Sequence, residues 1–325
     1  MLSRVADTLF WLGRYLERAE NYARFIDVNF NLCIDLPPGM KEQWDPLISA
    51  TGDRELFISL YGSNFSRQNA ILFLAFDEQN PNAIISTIAQ SRENARMVRE
   101  SIPKECWESL NDLHHYVRNA KKRKVWQKED PHAFFEYVKN GIHTFNGIAG
   151  STAPRTQAWY FTQIGKQLER ADKTSRILDV KYHYLLPSVD EVGSPLDFLQ
   201  WTALLKSVSA FNAYKHLYQK IQPDFIVQYL VLSRYFPRSI FYCITEVENA
   251  LQEISGSKRH SNSAEKAIGA LRSKLEYTNV NDILKYGLHE FLDEVQVGLN
   301  EISSSIYDQY FKVMPNYSVQ EQTQH

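Results

Sequence analysis

The chain has 325 residues, of which 44% are hydrophobic and 23% are charged, and its formal net charge at pH 7 is −2. This composition is typical of a globular protein long enough for two ordinary hydrophobic cores. The nearly neutral charge excludes a strong overall attraction to nucleic acid or to anionic membranes. The longest apolar runs, such as residues 70–76, are shorter than the ~20 residues that span a bilayer. Three cysteines without CxxC spacing argue against a disulfide framework, and we expect a cytoplasmic protein.

Prolines and candidate caps divide the chain into two series of predicted helices. The first series lies near residues 4–33, 45–60, 68–77, 82–101, 105–122 and 132–149. The second series lies near residues 156–185, 196–219, 223–233, 238–256, 264–276 and 281–311. Asp130 before Pro131 is typical of a helix N-cap, and Ser194 with Asp197 resembles a capping box. No sustained two-residue alternation indicates strands, so the predicted fold class is all-α, a helical bundle.

The two series resemble each other in sequence. Residues 12–20 (LGRYLERAE) align with residues 164–172 (IGKQLERAD) at an offset of 152. Trp44 then meets Trp201 at an offset of 157, and Pro81 meets Pro237 at an offset of 156. Colinear matches over this length predict a tandem duplication of one multi-helix unit. The predicted copies are residues 1–155 and 156–312, and the polar residues 313–325 are expected to form a mobile tail.

Each copy is predicted to begin with a helix that carries charges beside its apolar stripe. In the first copy these charges gather within an arc of about 80° that borders the stripe. They are Glu17, Glu20, Arg24 and Asp27, and the second copy repeats the arrangement as Glu169, Asp172, Arg176 and Asp179. Charges at the edge of a core need partners because burial desolvates them. One interpretation is that they pair along their own helix or between the copies and fix the register of the bundle.

Two functional interpretations stand beside this structural one. In the first, Arg24 and Arg176 present guanidinium forks to a carboxylate or phosphate while the acids bind an amine, which suits a peptide or amino-acid-like ligand. In the second, Glu17 or Glu169 acts as a general base in a pocket between the copies. A further charged cluster is either a structural helix pair or one copy's contribution to an asymmetric site. It comprises Arg92, Glu93, Asn94 and Arg96.

Motifs for metals, cofactors and nucleic acid are missing from the sequence. Glu17 and Glu20 lack a histidine at the Glu-x-x-His spacing that metal sites in helical bundles use. There is no glycine-rich phosphate loop and no nucleophile elbow, so we predict neither a metal site nor a cofactor. The basic run at residues 121–124 is typical of a solvated helix end. His132 and His289 recur at equivalent positions and are typical of packed helix ends.

Several segments carry a resemblance to a known family. They are WLGRYLERAEN at 11–21, LERADKTSR at 168–176, NP at 80–81, RENAR at 92–96, WESLN at 107–111 and FPRSI at 236–240. These segments are similar to motifs of the bacterial alpha-E family, an all-helical domain with a Glu-Arg motif and typical tandem duplication. The resemblance places the motif at Glu17-Arg18 and at Glu169-Arg170.

The resemblance also implies a role in peptide synthesis or modification. Members of the family tend to be encoded beside circularly permuted ATP-grasp ligases and transglutaminase-like proteins. We therefore predict an accessory or substrate- or partner-binding protein that acts with an ATP-grasp-type amide ligase. The alternatives are an enzyme of the same system that uses Glu17 or Glu169 as a general acid/base, and a purely structural scaffold.

Overall fold

The computed structural model describes residues 1–36, 42–127, 130–184, 193–257 and 261–312. These residues form helices and contain no β-strand, so the all-α fold class is confirmed. Within the same ranges, no helix is both long and apolar enough to cross a membrane. The tail predicted at residues 313–325 lies outside the described residues, as does most of the connection that precedes Pro195.

The helices follow one another in two series. Up to residue 152 they are α1 (Ser3–Ile34), α2 (Asp45–Thr51), α3 (Arg54–Tyr61), α4 (Arg67–Ile71), α5 (Ile84–Met97), α6 (Lys104–Lys122) and α7 (His132–Thr152). From residue 157 they are α8 (Gln157–Tyr184), α9 (Pro195–Ser207), α10 (Phe211–Tyr218), α11 (Pro223–Val227), α12 (Ile240–Ser255), α13 (Ser263–Tyr277), α14 (Val280–Tyr286) and α15 (Leu288–Ile306). Helices α4, α11 and α15 each continue into a π-helical turn, at Leu72–Phe76, Gln228–Leu232 and Tyr307–Phe311.

Three helices that the sequence predicted as continuous are each divided in two. The predicted helix 45–60 breaks at Gly52, where φ is 83°, and the predicted helix 281–311 breaks at Gly287, where φ is 117°. The predicted helix 196–219 breaks before α10, where Ser209 has a φ of 55°. A residue with positive φ ends the α-helical conformation, and glycine adopts it without a steric penalty. The other helix boundaries lie close to the predicted ones.

The predicted N-caps form with small differences. Ser194 Oγ accepts a hydrogen bond from the backbone N–H of Asp197 at 3.2 Å. The Asp197 carboxylate accepts from the N–H of Gly193 at 3.1 Å, so the reciprocal bond expected of a capping box goes to a neighbouring residue. Asp130 Oδ1 accepts from the N–H of His132 at 2.8 Å, although Pro131 occupies the position directly before the helix. Asp130 therefore satisfies a backbone donor that a helix start leaves free, whereas Asp197 binds the residue before the N-cap.

Helices α1 and α8 form the centre of the molecule. Helix α1 packs against α5, α7 and α8, and helix α8 packs against α12 and α15. Two helices pack against the central helix of the other series: α2 packs against α8, and α9 packs against α1. The predicted apolar stripe of α1, from Leu12 to Ile26, is buried. The buried hydrophobic residues of the described chain form one continuous cluster, whereas the chain length allowed two cores.

Candidate functional site

Two glycines bring the central helices into close contact where they cross. A Cβ atom on Gly13 would lie 2.1 Å from the carbonyl oxygen of Thr162, and one on Gly165 would lie 2.0 Å from that of Phe10. A larger residue at either position would force the two backbones apart. The Glu-Arg dipeptides follow the glycines by about one helical turn, so the crossing places them opposite each other.

The Glu-Arg dipeptides of α1 and α8 exchange partners. Arg18 donates from Nε and Nη2 to the two carboxylate oxygens of Glu169, at 2.6 and 2.9 Å. Arg170 donates in the same way to Glu17, at 2.8 and 2.9 Å. The exposed fractions are 2% for Glu17 and 0% for Glu169. Each glutamate is therefore held in a buried, bidentate ion pair with an arginine of the other helix.

Further cations surround both glutamates. Arg14 Nε donates to Glu169 at 3.0 Å, and Arg238 Nη1 donates to Glu17 at 2.8 Å. Burial alone would raise the pKa of each carboxyl group, but the neighbouring cations outweigh it and hold both pKa values far below the usual range. A general base must take up and release a proton near the working pH. The lowered pKa values of Glu17 and Glu169 keep both carboxyl groups ionised at neutral pH.

The other charges of the two helix faces also find partners within the protein. Glu20 binds Arg24, and it accepts a hydrogen bond from Arg238 at 2.8 Å. Asp172 pairs with Arg176 at 2.9 Å. The side chains of Arg24 and Arg176 are 12% and 30% exposed. The guanidinium groups that were predicted to bind a ligand thus each contact a carboxylate of the same chain, while Arg24 Nε is buried without a hydrogen-bond partner among the described residues.

Asp27 and Asp179 each bind a histidine from a later helix. His132 Nδ1 of α7 lies 2.6 Å from Asp27 Oδ1, and His289 Nδ1 of α15 lies 2.7 Å from Asp179 Oδ1. The hydrogen bond to Asp179 raises the pKa of His289. Both histidines therefore join an outer helix to one of the two central helices.

One group of potential metal ligands was not predicted from the sequence. Asp27, His132 and Glu136 place one ligand atom each within 4.8 Å of one another. The ammonium group of Lys139 lies 2.7 Å from Asp27 and also contacts Glu136. An ammonium group in contact with both carboxylates repels a metal ion and offsets one of their two negative charges.

The cluster on α5 lies outside the central network. Glu93 pairs with Arg92 and with Arg96, each at 2.8 Å. Arg92 Nε donates to Asn111 Oδ1 of α6 at 2.9 Å, and Asn94 is buried within α5. The structure therefore places these residues in a pairing network on one helix and does not bring them to the Glu-Arg crossing.

Arg238 is a central residue that sequence reasoning did not select. It lies in the turn before α12 and binds Glu17 and Glu20 at 2.8 Å each, with only 8% of the residue exposed. Its presence in the FPRSI segment, beside Pro237, was a signal that could have found it. The helical periodicity used for the other charges could not, because Arg238 precedes its helix.

A cavity beside Arg18 was also missed. It has a volume of about 560 Å³ and is bounded by α1, α5 and α6. Its walls include Trp11, Tyr15, Ser86, His114 and Arg118. Residues from three separate helices share no spacing pattern in the sequence, so only the packing of the helices brings them together.

The fold and the site together define a class of protein: an all-helical bundle held by reciprocal Glu-Arg pairs between its central helices. A family model, Alpha-E, described as a predicted alpha-helical domain with a conserved ER motif, matches residues 1–311. The chain belongs to this family, which confirms the resemblance of its motifs. Glu17-Arg18 and Glu169-Arg170 are the only two Glu-Arg sequences in the chain.

Relatives of the chain occur in mycobacteria. The chain is 21% identical over 340 residues to Uncharacterized protein Mb2597 of Mycobacterium bovis, and equally to Uncharacterized proteins MT2643 and Rv2567 of Mycobacterium tuberculosis. Each match covers 94% of this chain and 36% of the relative, so the chain spans about a third of the length of these proteins. No solved structure matches the chain.

Proposed function

We propose that the protein is a cytoplasmic accessory component of a bacterial peptide synthesis or modification system. In this role it binds a substrate or partner and acts with an ATP-grasp-type amide ligase, in a system that also includes a transglutaminase-like protein. The observation that carries the proposal is the burial of both motif glutamates in bidentate arginine pairs. These residues hold the two central helices together, which leaves binding to other surfaces of the molecule.

The same proposal includes a tandem duplication with copies at residues 1–155 and 156–312. Three reciprocal features support it. Each motif arginine binds the glutamate of the other central helix. Helix α2, which follows α1, packs against α8, and helix α9, which follows α8, packs against α1. His132 and His289, which are equivalent in the repeat, bind the equivalent residues Asp27 and Asp179. A duplicated unit that pairs with itself produces such reciprocity, as an isologous dimer does.

The catalytic alternative has less support. A general base at Glu17 or Glu169 would need a pKa near neutrality and contact with a substrate, whereas both carboxyl groups have strongly lowered pKa values and are saturated by guanidinium groups. The scaffold alternative agrees with the central network. It does not account for the cavity beside Arg18.

The test is purification of the tagged protein from native lysate, together with measurement of the peptide product in cells that carry isosteric variants. We expect the ligase to co-purify and the product to disappear when the gene is deleted. In cells that carry Glu17→Gln or Glu169→Gln, the amount of peptide product should decrease only in proportion to the amount of folded protein. Cells that carry Glu93→Gln provide the control. Loss of product from a fully folded glutamine variant would favour catalysis, and a lack of both co-purification and deletion effect would contradict the accessory role.

A further inference from the structure

The cavity between α1, α5 and α6 has the size of a small-molecule site. Its volume of about 560 Å³ lies within the range of about 300–1,000 Å³ that is typical of ligand pockets. Arg18 forms part of its wall and is immobilised there, because its guanidinium group binds Glu169 on one side and Asn82 Oδ1 on the other. A wall fixed by three hydrogen bonds is preorganised for binding.

The walls combine an aromatic surface with opposite charges. The rings of Trp11 and Tyr15 lie 5.3 Å apart and line the cavity together with the apolar side chain of Ile85. Arg118 and Glu78 also line it, and the charges of both are accessible to solvent. Glu78 makes an exposed ion pair with Lys121 at 3.0 Å, a kind of pair that a ligand displaces at little cost.

Two buried polar atoms, on residues that line the cavity, have no hydrogen-bond partner among the described residues. They are Ser86 Oγ and His114 Nδ1. Burial, followed by repulsion from Arg92, lowers the pKa of His114 to about 4, so its ring is neutral at pH 7. Both atoms are inaccessible to solvent, so they lie behind the surface that a ligand in the cavity would contact.

The second half of the chain carries bulkier side chains at the equivalent positions. The offset of 156 that aligns Pro81 with Pro237 places Phe241 at the position of Ile85 and Tyr242 at that of Ser86. The same offset places Arg238 at the position of Asn82, and Arg238 extends into the central network toward Glu17. The cavity thus belongs to the first half, where small residues of α5 leave room for it.

We propose that this cavity binds a free apolar or aromatic α-amino acid. The ligand's carboxylate pairs with Arg118, and its ammonium group pairs with Glu78. Its side chain packs against Trp11 and Tyr15. This inference rests on the substrate-binding role proposed above and names the chemical class of the substrate.

The test measures binding of four probes to the full chain by calorimetry. The probes are L-phenylalanine, its amide, its N-acetyl derivative and the dipeptide L-alanyl-L-phenylalanine. Arg118→Gln should weaken binding of L-phenylalanine about tenfold, because a hydrogen bond to a charged group is lost, and should leave binding of the amide within about twofold. Glu78→Gln should weaken L-phenylalanine similarly and leave the N-acetyl derivative within about twofold. The dipeptide should bind less tightly than L-phenylalanine, because its carboxylate and its ammonium group lie on different residues.

A cavity-filling variant provides the second readout. Ser86→Tyr introduces the side chain that the second half carries at this position, and it should abolish binding of every probe. Ser151→Tyr makes the same change at an exposed position of α7 and should leave binding unchanged. Circular dichroism checks that both variants are folded. If Ser86→Tyr does not fold, the Arg118→Gln and Glu78→Gln measurements decide alone.

Three outcomes would overturn the inference: no binding of any probe at millimolar concentration, equal effects of Arg118→Gln on the acid and the amide, or full binding by folded Ser86→Tyr. Co-purification of the ligase with a chain that binds no probe would overturn this inference alone. Probe binding by a chain that neither retains a ligase nor affects the peptide product would contradict the accessory role and leave the cavity assignment in place.

Discussion

Glu17 and Glu169 lie where an isolated charge would be unstable. Moving a carboxylate from water into a protein interior costs several kcal/mol, and paired cations recover this cost only with good geometry. Both glutamates have that geometry, since each accepts two hydrogen bonds from one arginine and at least one from another. Removing one partner of a buried ion pair strongly destabilises a protein, so these residues hold the two central helices together.

We expect Glu17→Gln to lower the free energy of unfolding at pH 7 by about 3 kcal/mol, because Arg170 loses its counter-charge and Arg238 keeps only that of Glu20. The ordinary pKa of a glutamate is 4.5, and that of Glu17 in the folded protein lies well below it. The stability that Glu17 contributes is therefore present above a pH of about 4.5 and is lost as the pH falls toward the folded-state pKa. Urea denaturation at pH 7 and about pH 3.5 should show the difference between wild type and variant shrinking by about 1 kcal/mol.

Glu93→Gln is the matched control for this measurement. Glu93 is 45% exposed and pairs with Arg92 and Arg96 at the surface. Surface ion pairs contribute about 0–1 kcal/mol, so the control should remain close to wild type at both pH values. A Glu17→Gln variant as stable as the control would contradict the role of Glu17 in holding the two central helices together.

The pKa values of two histidines should lie on opposite sides of the ordinary histidine pKa of 6.5. Burial lowers the pKa of His114 to about 4, whereas the hydrogen bond to Asp179 raises that of His289. The contribution of the His289 pair to stability is therefore present below the ordinary value and is lost as the pH rises through the folded-state pKa. NMR titration should show Asp179→Asn lowering the midpoint of His289 and leaving that of His114 unchanged. Midpoints near 6.5 for both histidines would contradict the contacts described.

At the scale of helices, the crossing of α1 and α8 depends on glycine, which has no side chain, at positions 13 and 165. Each glycine faces a backbone carbonyl oxygen of the other helix, which cannot move aside as a flexible side chain can. Because the crossing sets the distance between the helices, it also sets whether the arginines reach the glutamates. The glycines and the Glu-Arg pairs therefore form one structural unit.

We expect Gly13→Ala and Gly165→Ala each to lower the free energy of unfolding by about 1–3 kcal/mol, because the added Cβ overpacks the crossing. Gly147→Ala in α7 is the control, since its added Cβ meets no atom within 4 Å. Alanine is the better helix former, so the control should be neutral or stabilised by up to about 1 kcal/mol. Urea denaturation compares the three variants. Equal stability of all three would mean that the helices do not cross at the glycines.

The sequence predicted the positions of the helices better than their breaks and contacts. Apolar periodicity located α1 and its buried stripe, because a helix repeats its core face every three to four residues. The break at Ser209 was missed, because a positive φ at a serine arises from tertiary packing that no local pattern encodes. The charges of the motif were recognised as bordering the core. Their partners were left open, because pairing across two helices depends on how the helices cross.

At the scale of the whole molecule, packing of one helix from each half against the central helix of the other half joins the two halves into one core. Helix α2 covers α8 and helix α9 covers α1, so separating the halves would expose apolar surface on both central helices. Loss of such surface from water is the main driving force of folding. We therefore expect a single cooperative unfolding transition, which coincident circular dichroism and tryptophan fluorescence curves would show. Two resolved transitions would indicate halves that fold independently.

A double-mutant cycle on the Glu-Arg motif tests most directly whether the motif fastens the two central helices to each other. The cycle compares the free energies of unfolding of Glu17→Gln, Arg170→Gln and the double variant with a second cycle on Glu17 and its sequence neighbour Arg18. Pairing between helices predicts a coupling energy of about 1.5 kcal/mol or more for Glu17 with Arg170, and below about 0.5 kcal/mol for Glu17 with Arg18. Equal coupling in the two cycles, or stronger coupling within the dipeptide, would contradict the reciprocal arrangement.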